Sequence, residues 1–176
     1  MNEQEKLEEI AKNKREVLDI VDENDVVIGS APRNEIYKKK LRHRIVHIFL
    51  FDKKGRMALQ LRGHKTFFFP NSWSTAVGGH VSSGESCEEA ALREFEEELG
   101  TSTKLEYFAK DLYKAEGIPE KFLVSFKAVY EGDFPKLEEG KVVKVEYFTL
   151  DEIKEMISNK EKFHPELLFL LKKHWM

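Results

Sequence analysis

Apolar residues change their spacing several times along this chain, and each change predicts an element. Glu16 to Val21 and Val26 to Ser30 flank the polar turn Asp22-Glu23-Asn24-Asp25, which predicts a β-hairpin. Pro32 and Asn34 open a short helical stretch that runs through Lys40. His43 to Phe51 is strongly strand-like, turns at Asp52-Lys53-Lys54-Gly55, and returns through Met57 to Leu61. Trp73 to Val81 predicts another strand after an aromatic loop of Phe67 to Phe69, and Leu105 to Lys114 and Phe122 to Tyr130 predict two more. Val142 to Leu150 predicts a further strand, Asp151 caps a helix through Asn159, and Pro165 begins an amphipathic helix. Strands and helices in this order read as an α+β fold, a mixed sheet with helices on its faces.

One stretch has a 3.6-residue period and its own start and stop. In Gly79 to Thr101, Ser86 and Glu89 have the spacing of a capping box, and Gly100 suits a left-handed C-terminal position. At about 100° per residue Ala91, Leu92, Phe95 and Leu99 form an apolar arc. Glu94, Glu97 and Glu98 form an acidic arc beside it, and small Ala90 leaves an approach open on that side. Carboxylates three and four residues apart repel by roughly 0.2–0.5 kcal/mol per pair. Either this is a solvated acidic face, or a cation such as Mg²⁺ or Mn²⁺ sits among three hard oxygen ligands.

With 41% hydrophobic residues, the 176-residue chain can bury a real core. A net charge of −3 offers no electrostatic footprint for a nucleic-acid polymer, so none is expected as partner. The lone Cys87 excludes an intramolecular disulfide framework and reads as a structural thiol. Residues 1–14 form a charged extension with no apolar segment, so neither a signal peptide nor a membrane span is expected, and the cytoplasm is the expected location. Edges of the N-terminal hairpin, residues 15–32, offer a route to a homodimer.

The order of polar and glycine residues goes further than the three acids alone. Gly79, Glu85, Arg93, Glu94, Glu97, Glu98 and Gly100 fall in the register of the Nudix box over 79–101, and the chain is identified as resembling the Nudix hydrolases. Phe95 and Thr101 depart at softer positions. The resemblance implies a Nudix-type α/β/α sandwich with a mixed sheet over 15–176. It also implies a Mg²⁺ (or Mn²⁺) cofactor on Glu94, Glu97, Glu98 and the Gly79 carbonyl, with Arg93 and Glu85 bracing the loop. The implied reaction is water attack on phosphorus in a diphosphate linkage of a nucleoside diphosphate derivative or related organic pyrophosphate. Arg62 and Lys65 at a strand end are candidates for the substrate's phosphates, and Glu94, Glu116 and Glu120 for the base that takes the water's proton.

A narrower resemblance, to the isopentenyl-diphosphate-isomerase-like branch of that family, rests on Leu41-Arg42-His43-Arg44, Phe69-Pro70 to Trp73, and Gly79-His80. In the isomerases, histidines at the positions of His43 and His80 help bind a metal, and a catalytic cysteine precedes the Gly-His pair. Here Gly78 holds the cysteine's position, and Ile36 lies near that of a further metal-binding histidine. Lys141 stands in a segment where many family members are acidic. Hydrolase is therefore the leading reading, with an isomerase-like enzyme and a non-catalytic nucleotide-binding module as alternatives.

Overall fold

The computed structural model describes residues 2–4 and 15–176, so most of the charged extension expected over 1–14 lies outside the described residues. Strands β1 (Val17–Val21) and β2 (Val27–Pro32) pair antiparallel as a separate two-stranded sheet, followed by helix α1 (Arg33–Lys38). The second strand runs through Pro32, so the helix starts one residue later than expected. Leu18 and Val21 bury their side chains, and Asp19 accepts hydrogen bonds from the Ser83 hydroxyl at 2.7 Å and the Gly84 amide at 3.2 Å.

The main sheet turns on β3 (His43–Phe51). Along its whole length β3 pairs in parallel with β8 (Lys121–Val129), which pairs antiparallel with β7 (Glu106–Tyr113). On its other side, Ile45 to Ile48 take β6 (Val77–His80), while Phe51 meets the start of β4 (Met57–Arg62). Strand β4 then carries β5 (Trp73–Thr75) and β9 (Val142–Phe148). The single strand expected over 73–81 is therefore two, because β5 and β6 serve different partners on either side of Ala76.

Alternation along β3 sends its residues to two helical layers. Val46, Ile48 and Leu50 pack with Ala90, Ala91, Phe95 and Leu99 of α2 (Cys87–Leu99). Ile45 and Phe49 pack with Ile153 of α3 (Leu150–Ser158) and with Leu167, Leu170 and Leu171 of α4 (Pro165–His174). This is the mixed sheet with helices on its faces that the pattern predicts, and the α/β/α sandwich that the resemblance implies.

Local chemistry explains both helix boundaries that matter. In α2 the Ser86 hydroxyl accepts from the Glu89 amide at 3.1 Å while Glu89 accepts from the Ser86 amide at 2.8 Å, and Gly100 ends the helix at φ 68°. In α3 the cap is Thr149 and not Asp151, with Glu152 closing the box, because a hydroxyl three residues before a glutamate satisfies two amides at once. The apolar arc of α2 also shifts: Leu92 is exposed and Ala90 is fully buried, so the seam runs Ala90, Ala91, Phe95, Leu99. The open approach expected at Ala90 is filled by packing.

Phe95 has no exposed surface and meets Tyr130 edge-on at 6.1 Å. Phe95→Ala should cost about 3–5 kcal/mol by emptying that volume. Urea unfolding checks it, with a lowered midpoint expected at an unchanged slope.

Candidate active site

A cavity of about 630 Å³ opens between the N-terminal end of the main sheet, α2 and α4. One end is acidic. Glu94, Glu97 and Glu98 line it from α2, with Gly78, Gly79 and His80 from β6 and Glu138 and Lys141 from the segment before β9. Glu85 does not line the cavity and is held behind this wall, where it grips Arg93.

Arg93 organises the acidic end. Its Nε donates to Glu85 Oε1 at 2.8 Å, one terminal nitrogen donates to Glu85 Oε2 at 3.0 Å and the His80 carbonyl at 3.1 Å, and the other donates to Glu94 at 2.7 Å. Glu97 lies 3.6 Å from that last nitrogen. A planar fork suits this work, since one guanidinium reaches the loop, the strand and the helix together. Hydrogen bonding to Glu85 raises the guanidinium's already high proton affinity.

The acids themselves are strained electrostatically. Burial pushes Glu94 up to about 7 even though Arg93 opposes it. Burial pushes Glu98 well above the usual carboxylate range, helped by the neighbouring Glu94 charge; Gln60 donates to it at 3.0 Å. Gly79 has no room for a side chain: a Cβ there would collide with the carboxylate of Glu94. Among the described residues no three His, Cys, Asp or Glu side chains already converge on one point, and Glu94 is turned onto Arg93.

The expected phosphate contacts are only partly available. Arg62 lines the cavity, but its Nε and one terminal nitrogen donate to the Phe68 carbonyl at 3.2 and 2.8 Å, fixing the aromatic loop. Lys65 also lines it, its stem lying over Gly140. Glu116 faces the cavity, whereas Glu120 pairs with Arg42 and Lys114. His43 and His80 stack at 5.5 Å and 14°. Burial lowers His43 to about 4 and His80 well below the usual imidazole range. His80 Nε2 meets the Tyr37 hydroxyl at 2.9 Å, and His43 Nδ1 donates to the Leu41 carbonyl at 3.0 Å, leaving its buried Nε2 without a partner.

The opposite end of the cavity holds residues that sequence reasoning missed. Glu166 in the first turn of α4 accepts from Lys121 Nζ at 2.7 Å on Oε1 and from His47 Nε2 at 3.0 Å on Oε2. All three are buried and line the cavity, with Tyr37, Tyr113 and His164 beside them. A polar residue in the middle of the β3 apolar run, His47, is the available signal.

A mixed sheet between helical layers, with a glutamate-rich capped helix braced by an arginine beside a deep cavity, defines a Nudix-type domain. A NUDIX domain model matches residues 41–171, and the chain belongs to that family. An uncharacterized Nudix hydrolase of Streptomyces coelicolor, SCO1686, is 47% identical over 100 residues, covering 56% of this chain and 55% of that protein. The chain thus aligns with about half of that relative's length. The isopentenyl-diphosphate Delta-isomerase of Serratia proteamaculans is 30% identical over 161 residues, 89% of this chain and 90% of that protein. Among solved structures, DR0079 from Deinococcus radiodurans superposes with a TM-score of 0.76 at 24% identity, covering 92% of this chain and 100% of that one. The NUDIX domain of Shewanella oneidensis NrtR, solved with ADP ribose, does so at 0.56 and 17% identity over 73% and 83%. These likenesses show the fold. No helix among the described residues is long and apolar enough to cross a membrane.

Glu98 supplies a stability test with a definite sign. Its proton is held more tightly in the folded chain than in the unfolded one, so the folded state binds more protons above about pH 4.5 and loses stability as pH rises. Without metal, Glu98→Gln should raise the melting temperature at about pH 8, at roughly 2–4 °C per kcal/mol, and change it little at about pH 5. Calorimetry at the two pH values checks this; no gain at the higher one would refute the assignment.

Proposed function

We propose that this chain is a divalent-cation-dependent hydrolase of diphosphate linkages. Its substrate would be a nucleoside diphosphate derivative or related organic pyrophosphate, cleaved by water attack on phosphorus. The observation that carries the reading is the pair of desolvated carboxylates, Glu94 and Glu98, held with Glu97 on one wall of a cavity that also presents Arg62 and Lys65. Crowded acids of raised proton affinity are what a hard cation relieves.

The donor set fits Mg²⁺ or Mn²⁺. Glu94, Glu97 and Glu98 offer oxygen ligands, the side-chain-free Gly79 lies against the Glu94 carboxylate, and the Gly79 carbonyl would be the further ligand that the family resemblance implies. When bound, such an ion neutralises charge on the phosphates and acidifies a water. Arg93 keeps the Glu94 carboxylate at the mouth of the loop and, through Glu85 and the His80 carbonyl, keeps the loop from drifting off the helix. Lys65 and Arg62, which line the cavity, would bind phosphate oxygens. The water's proton goes to Glu94 or Glu116, since the carboxylate of Glu120 is occupied by two cations.

The isomerase of Serratia proteamaculans is a relative by sequence, and Gly78 argues against its reaction here. A Cβ at position 78 would stand 3.3 Å from His47 Nδ1 and 3.4 Å from both Thr75 Oγ1 and the Val46 carbonyl. A side chain there would lie against the polar pair His47–Thr75, bonded at 2.9 Å, and the glycine in that position supplies no thiol for the acid–base pair that isomerisation needs. The acid groups of the box are all present, which favours turnover over silent binding. The ADP ribose in the NrtR domain supports a small diphosphate ligand in a cavity of this kind.

Phosphate or pyrophosphate release across nucleoside triphosphates, nucleotide sugars, dinucleotides, coenzyme A and isopentenyl diphosphate tests the reading. Chelator-sensitive release from one class is expected, and Glu97→Gln should lower kcat by about 10²–10³ with folding intact. Undiminished turnover in that variant would remove Glu97 from the site.

A further inference from the structure

The polar end of the cavity plays no part in the chemistry just proposed, yet it holds a buried, hydrogen-bonded charged pair. Lys121 and Glu166 retain 8% and 6% of their side-chain exposure, and His47 retains 3%. The His47 ring is fixed from behind by the Thr75 hydroxyl at 2.9 Å. Lys121 Nζ also lies 5.4 Å from the centre of the Tyr37 ring, and the Tyr37 hydroxyl reaches His80 Nε2 at 2.9 Å, so polar groups run from α4 across the cavity to the residue after Gly79. Glu166 is held well below the usual carboxylate range: burial would raise it, but the His47 hydrogen bond and the Lys121 charge prevail.

A purely structural ion pair between β8 and α4 explains this poorly. Taking a lysine and a glutamate out of water is expensive, and apolar residues of the same volume join such elements at least as well. The neighbouring contacts between the same elements, Leu123 with Leu167 and Leu170, are apolar. The charged pair is instead confined to the stretch that faces the cavity.

The remaining valences indicate what it reads. Each Glu166 oxygen takes one hydrogen bond from the protein, which leaves an acceptor site on each oxygen, side by side on one planar group. The ammonium of Lys121 supplies donors next to them. Two adjacent acceptors flanked by a donor match two neighbouring hydroxyls, as an acidic residue matches ribose hydroxyls in dinucleotide sites.

We propose that Glu166 and Lys121 bind the vicinal hydroxyls of a sugar in the organic part of the diphosphate substrate, and so exclude prenyl diphosphates. This rests on the hydrolase reading for the diphosphate end alone. A prenyl tail laid against the pair would cover its open valences without filling them, and a site built for hydroxyls rejects analogues that lack them. Glu166 and Lys121 are specificity residues in this account, with His47 as the group that positions Glu166.

The test uses the Glu97→Gln chain, expected to bind without turnover, and two probes measured by calorimetry in Mg²⁺: ADP-ribose and geranyl diphosphate. ADP-ribose should bind at least about tenfold more tightly. Adding Glu166→Leu with Lys121→Met, a neutral pair that spares the interior a lone charge, should shift the ratio toward geranyl diphosphate by about tenfold or more. Glu166→Gln, which keeps shape and loses one acceptor, should shift it by about threefold and covers the case in which the double variant fails to fold. Equal affinities in the background chain, no binding of ADP-ribose, or an unchanged ratio in a folded variant would each overturn the proposal. Continued hydrolysis by the Glu97→Gln chain would count against the cation site instead, and the probe ratio would then be read from initial rates.

Discussion

Everything at the acidic end of the cavity depends on one guanidinium. Three separate pieces of chain meet here, the loop after β6, the strand β6 itself and the helix α2; Val77 and Val81 pack with Ala90, Ala91 and Phe95, but that apolar seam does not fix how their polar groups are aligned. Arg93 joins them by donating to Glu85, to the His80 carbonyl and to Glu94. Without it, Glu94 would keep its burial and its like-charged neighbours and lose its main opposing charge. A lysine could not substitute, because a single ammonium cannot hold a bidentate contact on Glu85 while reaching two other acceptors. The helix supplies the remaining order, since its capping box and αL glycine fix where the acidic arc begins and ends.

The sheet decides what faces those acids. Parallel pairing of β3 with β8 sets His43 opposite Lys121 and His47 opposite Ser125, and of these four His47 and Lys121 line the cavity. Because successive side chains alternate, the residues that back α2 and those that meet α4 come from the same short segments. One face of β3 closes the core under the acidic helix, and the other carries His47 to Glu166. The cavity therefore has an end lined by acids and, at His47, Lys121 and Glu166, an end of mixed polarity.

How much of this was legible in the sequence follows from the range of each interaction. The capping box, the Gly100 terminus and the acidic arc depend on residues within about one or two helical turns, and the pattern alone locates them. The cap of α3 was displaced by two residues because Thr149 and Asp151 are both good caps, and only the position of Glu152 decides between them. The split of 73–81 into β5 and β6 was hidden because a change of sheet partner leaves apolar spacing nearly intact. Leu92 and Ala90 were exchanged across the seam because an arc drawn at 100° per residue has no knowledge of which edge meets the sheet. His47 to Glu166 spans 119 positions and Lys121 to Glu166 spans 45, and no local pattern carries such pairings.

Gly78 links the two ends of the cavity. It precedes the glycine that lies against Glu94, and it leaves the space that His47 and Thr75 occupy. A Cβ at position 78 would stand 3.3 Å from His47 Nδ1, close enough that the ring or the strand would give by a few tenths of an ångström. The side chain most affected is the one that holds Glu166 from α4, so position 78 couples the loop beside Glu94 to the Glu166–Lys121 pair through a single ring.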